Sequence, residues 1–384
     1  MKHLKLIIFV GFVIRLIYAI RIGYQGGGDG LELDAEGFYL RMVIISHTGI
    51  FEELAVGEAL MLNTIGTLMS LFGDGVFIGC FFSCIAWLVA GLFFAGSLNL
   101  TNADDKTKMI ATMLFSFWPT AIPYTAVTLR EPYQLMFASA ALYAALSLIY
   151  TRNALYWPFL LLCLVGTGAT HGGLAAFAVA MFILTVIFYS VFNGEKFSVG
   201  QVALAVVFAA IIAYFGLTNI SAVGYEVDGG IIDTAQAYQT GGLATFGRTN
   251  YKEDVDFSGT LGGVLFLPLG LFQYLFEPMP WKISTVADLA LFAENAIRLI
   301  IIVAAIIEFL KSTAHPQRTL LLFLFLIYFA QEAIWSLGTI NWGTASRHHV
   351  PAMPYLILLA AQALFLRGHR LGTARWSRSA SLAH

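Results

Sequence analysis

Long apolar runs separated by short polar interruptions dominate the chain. The runs fall near 4–22, 75–97, 108–127, 131–150, 155–169, 172–192, 200–218, 287–310, 319–337 and 350–366. A helix crossing the hydrocarbon layer needs about 20 predominantly apolar residues, so the pattern predicts about ten transmembrane helices. Two further apolar stretches, near 55–72 and 259–276, fit either a span or a helix lying along the membrane interface. The opening MKHLKLIIFVGFVIRLIYAI joins a basic flank to an apolar run with no A-x-A-like site after it. It reads as a first membrane helix or signal anchor and not as a cleaved peptide.

Charge decides the sidedness, because Lys and Arg are retained in cytoplasmic loops. With ten spans and both termini cytoplasmic, the inner segments hold twelve Lys/Arg, among them Lys2, Lys106, Lys108, Arg152, Lys311 and Arg367. They hold four acids, Asp104, Asp105, Glu195 and Glu308, a net of +8 that leaves −10 for the rest of the chain. Counting 259–276 as a span would put the basic tail 367–384 outside. Both ambiguous stretches are therefore expected to be interfacial helices on the outer face, and Pro268 fits a broken, non-spanning segment. The expected organisation is all-α integral membrane: one polytopic domain over 1–384, with outer loops at about 23–74 and 219–286.

Composition agrees. The hydrophobic fraction is 59% with 11% charged residues and a mean hydropathy of +0.78, whereas a soluble domain carries about 25% charged residues. The lipid bilayer is the implied partner, and no nucleic-acid partner is expected. Cys80, Cys84 and Cys163 all lie in apolar segments without metal-ligand spacing. A disulfide framework or zinc site is not expected, and no metal ligand set is assigned.

Candidate chemistry gathers on the outer side. Asp29, Glu32, Asp34 and Glu36 crowd into eight residues after the first helix, behind a glycine-rich turn. Such carboxylates suit a general base or a cation ligand, or simply a solvated acidic loop. Arg347, His348 and His349 sit at the mouth of the last span, where cationic groups make a phosphate site and Arg binds in two-pronged fashion. The plain alternative is a snorkelling anchor, although the orientation rule disfavours cations there. Arg130 and Glu131 share the turn between spans three and four, where they pair with each other or where Arg130, facing the same cleft, helps hold a phosphate or an acceptor. Glu294 and Arg298 stand at i, i+4, an orientation that favours a helix ion pair; charges inside a span otherwise point to function. Glu332 and Gln331 lie in the outer half of the next span, and His171 lies at an outer turn.

Five short motifs carry a family resemblance: D-A-E-G-F-Y-L-R at 34–41, SLFGDG at 70–75, TLREP at 128–132, LFEPMPWK at 275–282 and NWGTASRHHVPAMP at 341–354. The first two resemble the first loop of GT-C-fold glycosyltransferases, which use polyprenyl-phosphate-linked sugars. The others resemble Wzy-like polysaccharide polymerases of bacterial exopolysaccharide clusters. The resemblance implies a multi-pass bacterial inner-membrane transferase with its active face periplasmic or extracellular. Asp34 would be the general base, with Asp29 next. Arg347, helped by His348 and Arg130, would hold the donor phosphate or diphosphate, and Glu36, Tyr39, His171, Glu294 and Glu332 would line the substrate cavity. A polyprenyl-linked sugar or oligosaccharide would be the substrate, with a divalent cation left open as a cofactor. A transporter or flippase of a lipid-linked glycan is the main alternative from another class, followed by a non-catalytic assembly subunit. Against transport stands the absence of repeated halves.

Overall fold

A computed structural model describes residues 2–24, 33–52, 58–101, 103–194, 207, 249–251, 260–312 and 315–381. The described residues are all-α, and seven helical stretches among them are long and apolar enough to cross a membrane: Lys2–Tyr24, Val76–Leu100, Glu131–Thr151, Gly172–Asn193, Val286–Lys311, Pro316–Gly338 and Trp342–Gly368. The chain is thus a multi-pass membrane protein. In order, the helices are α1 (Lys2–Tyr24), α2 (Leu33–Thr48), α3 (Ala59–Phe72), α4 (Val76–Leu100), α5 (Asp105–Phe117), α6 (Ala121–Tyr124), α7 (Glu131–Thr151), α8 (Tyr156–Thr170), α9 (Gly172–Asn193), α10 (Thr260–Phe276), α11 (Val286–Lys311), α12 (His315–Gly338), α13 (Trp342–His348) and α14 (Met353–Ser381).

Several expectations change. The run at 108–127 is not one helix. α5 stops at Phe117, because the residue before Pro119 is driven out of the helical region, and only the single turn of α6 follows before Arg130. At 15 residues, α8 is about 22 Å long, short of the hydrocarbon thickness. The stretch expected to span at 200–218 lies outside the described residues, apart from Val207. The segment 23–74 carries, besides the helix expected near 55–72 (here α3), the unexpected helix α2. α10 runs through Pro268 without interruption, and Tyr274 and Leu275 at its end are buried in the bundle. At the far end, α14 continues as helix to Ser381, so the basic residues after 366 extend the last helix.

Packing rests on two apolar cores and on the buried cation of α1. Main-core residues such as Trp87, Phe94, Phe115, Leu142, Phe182, Phe323 and Tyr355 come from α4, α5, α7, α9, α12 and α14. Arg15, fully buried in α1, donates through Nε to Thr125 Oγ1 (2.6 Å) and through Nη1 to Ser116 O (2.9 Å), and lies 3.7 Å from the Trp87 ring. Those contacts clamp α1 onto α4, α5 and the turn after α6. A second, smaller core sits beside it, where Met42 and Ile45 of α2 meet Leu62, Ile65 and Met69 of α3. Leu6, Phe9 and Ile17 of α1 and Ile300 and Leu310 of α11 face outward, as lipid-contacting positions do.

One close approach positions the site. A Cβ on Gly79 would come within 2.4 Å of Thr128 Cγ2. Thr128 Oγ1 in turn donates to Ala35 O at 3.0 Å, tying the turn before Glu131 to the residue after Asp34. Gly79→Val is expected to lower stability by about 1–3 kcal/mol through overpacking, read as a lower thermal unfolding midpoint in detergent. Gly37→Ala, inside α2 where an added Cβ meets nothing within 4 Å, should not lower the midpoint and should raise it slightly.

Candidate functional site

Helix termini converge at one end of the bundle. Asp34 and Glu131 lie in the first turns of α2 and α7, and His171 caps the start of α9. Arg347 and His348 end α13. Asn341 caps α13 by accepting from Thr344 N at 2.7 Å. The strip 249–251 is laid against that corner: Tyr251 N donates to Ile340 O (2.9 Å) and Trp342 N to Thr249 O (3.1 Å).

Arg347 is the hub. Its Nε and Nη2 donate to one oxygen of Glu131, Oε1, at 3.1 and 3.0 Å, and its Nη1 donates to Asp34 Oδ2 at 2.7 Å. The side chains of Arg347 and Glu131 are 7% and 1% exposed, whereas that of Asp34 is 59% exposed. A buried charge persists in such a setting when its partner's geometry is good and hydrogen bonds fill the rest of its valence. Glu131 therefore does not pair with its neighbour Arg130. Instead Arg130 reaches toward Glu58 Oε2 at 3.8 Å and lies over the Phe38 ring. Among the described residues, Glu131 Oε2, Arg130 Nε and Trp335 Nε1 are buried without a hydrogen-bond partner.

An aromatic wall closes one side. His348 stacks on Trp335 with centroids 3.8 Å apart, and His171 packs against Trp335 at 4.5 Å. Hydrogen-bond bookkeeping orients both imidazoles. His171 Nδ1 accepts from Gly173 N at 3.0 Å, which puts its proton on Nε2. Thr339 Oγ1 spends its one proton on Trp335 O, so His348 Nδ1 donates to Thr339 Oγ1 (2.9 Å). Burial, with the Arg130 charge adding to it, pushes the His171 imidazole well below its usual pKa.

Behind this wall lies a buried polar layer. His349 Nε2 donates to Tyr274 O (3.2 Å), and its Nδ1 is hydrogen-bonded with Glu332 Oε2 at 2.8 Å. Glu294 and Arg298 do not form their expected ion pair. Glu294 accepts from Trp118 Nε1 (2.8 Å), Thr120 N (2.8 Å) and Thr120 Oγ1 (2.6 Å), because the break at Pro119 presents those donors from another element. Arg298 turns to Leu275 O at 3.0 Å and to Asn295. Glu294 also ends an apolar groove of about 340 Å³, walled by Met113, Leu114, Phe117 and Trp118 on one side and Ala290, Ala293 and Ile297 on the other.

The expected residues thus divide. Asp34, Arg347 and His348 share this end with His171, and Arg130 lies close enough for its charge to act on both histidines. Glu332 and Glu294 serve neighbouring internal networks. Glu36 is exposed on α2, and the Tyr39 hydroxyl donates to Asp74 O at 2.7 Å. Asp29 lies outside the described residues. Glu131, Trp335 and Thr339 are the members that sequence reasoning did not assign. Among the described residues no group of three metal-ligating side chains is assembled. No family model, curated protein or solved structure matches the chain.

His171 gives a pH signature. The unfolded chain binds a proton near pH 6.5 while the folded site resists it, so stability falls as pH drops below about 6.5. His171→Asn keeps a good helix cap and removes the titrating ring. Its thermal midpoint, measured from pH 7.5 to 5.5, should fall less steeply than that of the wild type.

Proposed function

We infer that this protein is a membrane glycosyltransferase or polysaccharide polymerase, GT-C-like or Wzy-like, using a polyprenyl-(di)phosphate-linked sugar at the outer face of a bacterial cell membrane. The observation that carries the reading is the 2.7 Å contact between the exposed Asp34 carboxylate and the buried Arg347 guanidinium. A base open to an incoming hydroxyl and a cation able to hold a phosphate stand side by side, although 313 residues separate them in sequence. The reading keeps ten spans with both termini cytoplasmic, so that this end faces outward, as the excess of Lys and Arg on the opposite loops favours.

In the reaction, the acceptor hydroxyl approaches Asp34. Its oxygen forms a bond to the anomeric carbon of the donor sugar while its proton passes to the Asp34 carboxylate. The bond from the anomeric carbon to the phosphate oxygen breaks, and the electron pair leaves with the phosphate. Arg347 and Arg130 stabilise that departing charge, in surroundings where fixed donors act more strongly than in water. His171 Nε2–H is a further donor on the same side. The groove ending at Glu294 is the seat proposed for the prenyl tail: its walls are apolar, and Phe117 and Ile297 are open to lipid.

Asp34→Asn and Arg347→Ala should each reduce transfer from a polyprenyl-diphosphate sugar by at least about 100-fold. In Asp34→Asn surface glycan should be lost at unchanged protein level; for Arg347→Ala, which leaves the buried Glu131 without its partner, transfer is compared per amount of folded protein. Wild-type glycan in both variants would refute the assignment.

A further inference from the structure

Arg347 and Asp34 cannot both serve catalysis while they hold each other. The guanidinium edge that would take a phosphate is filled by Asp34 Oδ2, and the carboxylate that would take a proton has one oxygen committed to Arg347. An anion taking that edge must displace a carboxylate, and the structure distinguishes the two that hold Arg347 among the described residues. Glu131 accepts two hydrogen bonds from Arg347 on one oxygen, is 1% exposed, and opens α7 directly before Pro132. Asp34 is 59% exposed and stands in the first turn of the peripheral helix α2. Removing a buried partner strands a charge, whereas Asp34, the exposed end of its pair, returns to water when the contact breaks. Asp34 is the replaceable ligand, and Glu131 is the anchor.

A second observation points to a ligand here. Glu131 Oε2, Arg130 Nε and Trp335 Nε1 are buried and lack hydrogen-bond partners among the described residues. Buried polar atoms are ordinarily satisfied, and bare ones call for an explanation. Glu131 also holds Arg347, and Trp335 stacks on the adjacent His348; two donors and one acceptor so placed suit a sugar-phosphate headgroup, with the donors on phosphate oxygens and Glu131 Oε2 accepting from a sugar hydroxyl.

We propose that Glu131 is a positioning residue that fixes Arg347 so that a phosphoryl headgroup exchanges with Asp34 on the guanidinium. The exchange seats the donor and frees Asp34 to accept the acceptor's proton in the same event. It deepens the sugar-transfer reading and rests on it for the later proton step alone. A consequence is binding order: the phosphorylated donor arrives first, and the base becomes available only once that donor is seated.

Binding to the full-length protein in detergent tests the exchange, with farnesyl phosphate as probe, inorganic phosphate as the lipid-free arm and farnesol as the uncharged arm. Asp34→Asn should tighten farnesyl phosphate by about 3–5-fold, the equivalent of a released pair worth up to about 1 kcal/mol, and Arg347→Ala should abolish binding. Glu131→Gln also removes a negative charge, yet it should weaken binding because the guanidinium loses its anchor. Net-charge repulsion alone predicts tightening for both carboxylate variants, and that result would overturn the proposal. Unchanged or weaker binding by Asp34→Asn, whose exposed side chain leaves the fold intact, would overturn it as well. The same gain with inorganic phosphate supports exchange at the phosphoryl group itself, while an equal gain with farnesol contradicts it. Transfer assayed on the same preparations separates the two claims. A gain in binding by Asp34→Asn without wild-type transfer leaves the exchange standing and removes the enzyme reading. Transfer without that gain does the reverse.

Discussion

The buried contact between Glu131 and Arg347 is the constraint on which the site depends. Each group alone would be a charge stranded in an apolar bundle, a cost of several kcal/mol. Together they oblige the first turn of α7 and the last turn of α13 to meet, across 216 residues of chain. Once they meet, Thr128 before Glu131 can hold Ala35, and Asp34 falls beside the guanidinium. Most of the remaining geometry at this end hangs from that junction.

The surrounding contacts divide the labour. Asp288 accepts from Trp342 Nε1 at 3.2 Å, fastening the start of α11 to the start of α13. The Tyr124 hydroxyl meets Ser346 Oγ at 2.9 Å and ties the break after α5 to the same short helix. The break at Pro119 thus has two results. It frees Trp118 and Thr120 to satisfy Glu294, and it opens the apolar groove whose end Glu294 marks. Rigid helix ends carry the buried partner while a peripheral hairpin carries the exposed one. That asymmetry makes exchange at the site conceivable without unfolding its base.

Much of the fold was legible because apolar length and lipid thickness share one scale. Helices at 2–24, 76–100, 131–151, 172–193, 286–311 and 315–338 follow the apolar runs within a few residues. α2 was missed because its buried positions, Ala35, Phe38, Met42 and Ile45, are spaced by three or four among acidic and polar neighbours, so that mean hydropathy reads a loop. The break in 108–127 was hidden by the same averaging, although Pro119 is in plain view. Within the site, Arg347 and His348 announced themselves as cationic residues where the orientation rule disfavours them, and Asp34 as one of an acidic cluster. Glu131 did not, because its neighbour Arg130 offered a ready local partner. Glu294 and Arg298 mislead in the same way: spacing permits their pair, and donors from a distant segment prevent it.

A double-mutant cycle on Glu131 and Arg347 tests the central claim most directly, using unfolding free energies of Glu131→Gln, Arg347→Gln and the two combined. If the pair joins α7 to α13, each single change leaves a buried charge. The double variant should then exceed the additive expectation in stability by about 1–3 kcal/mol. Additivity within about 0.5 kcal/mol would mean that the two residues do not interact, and the assembly of the site around them would be contradicted.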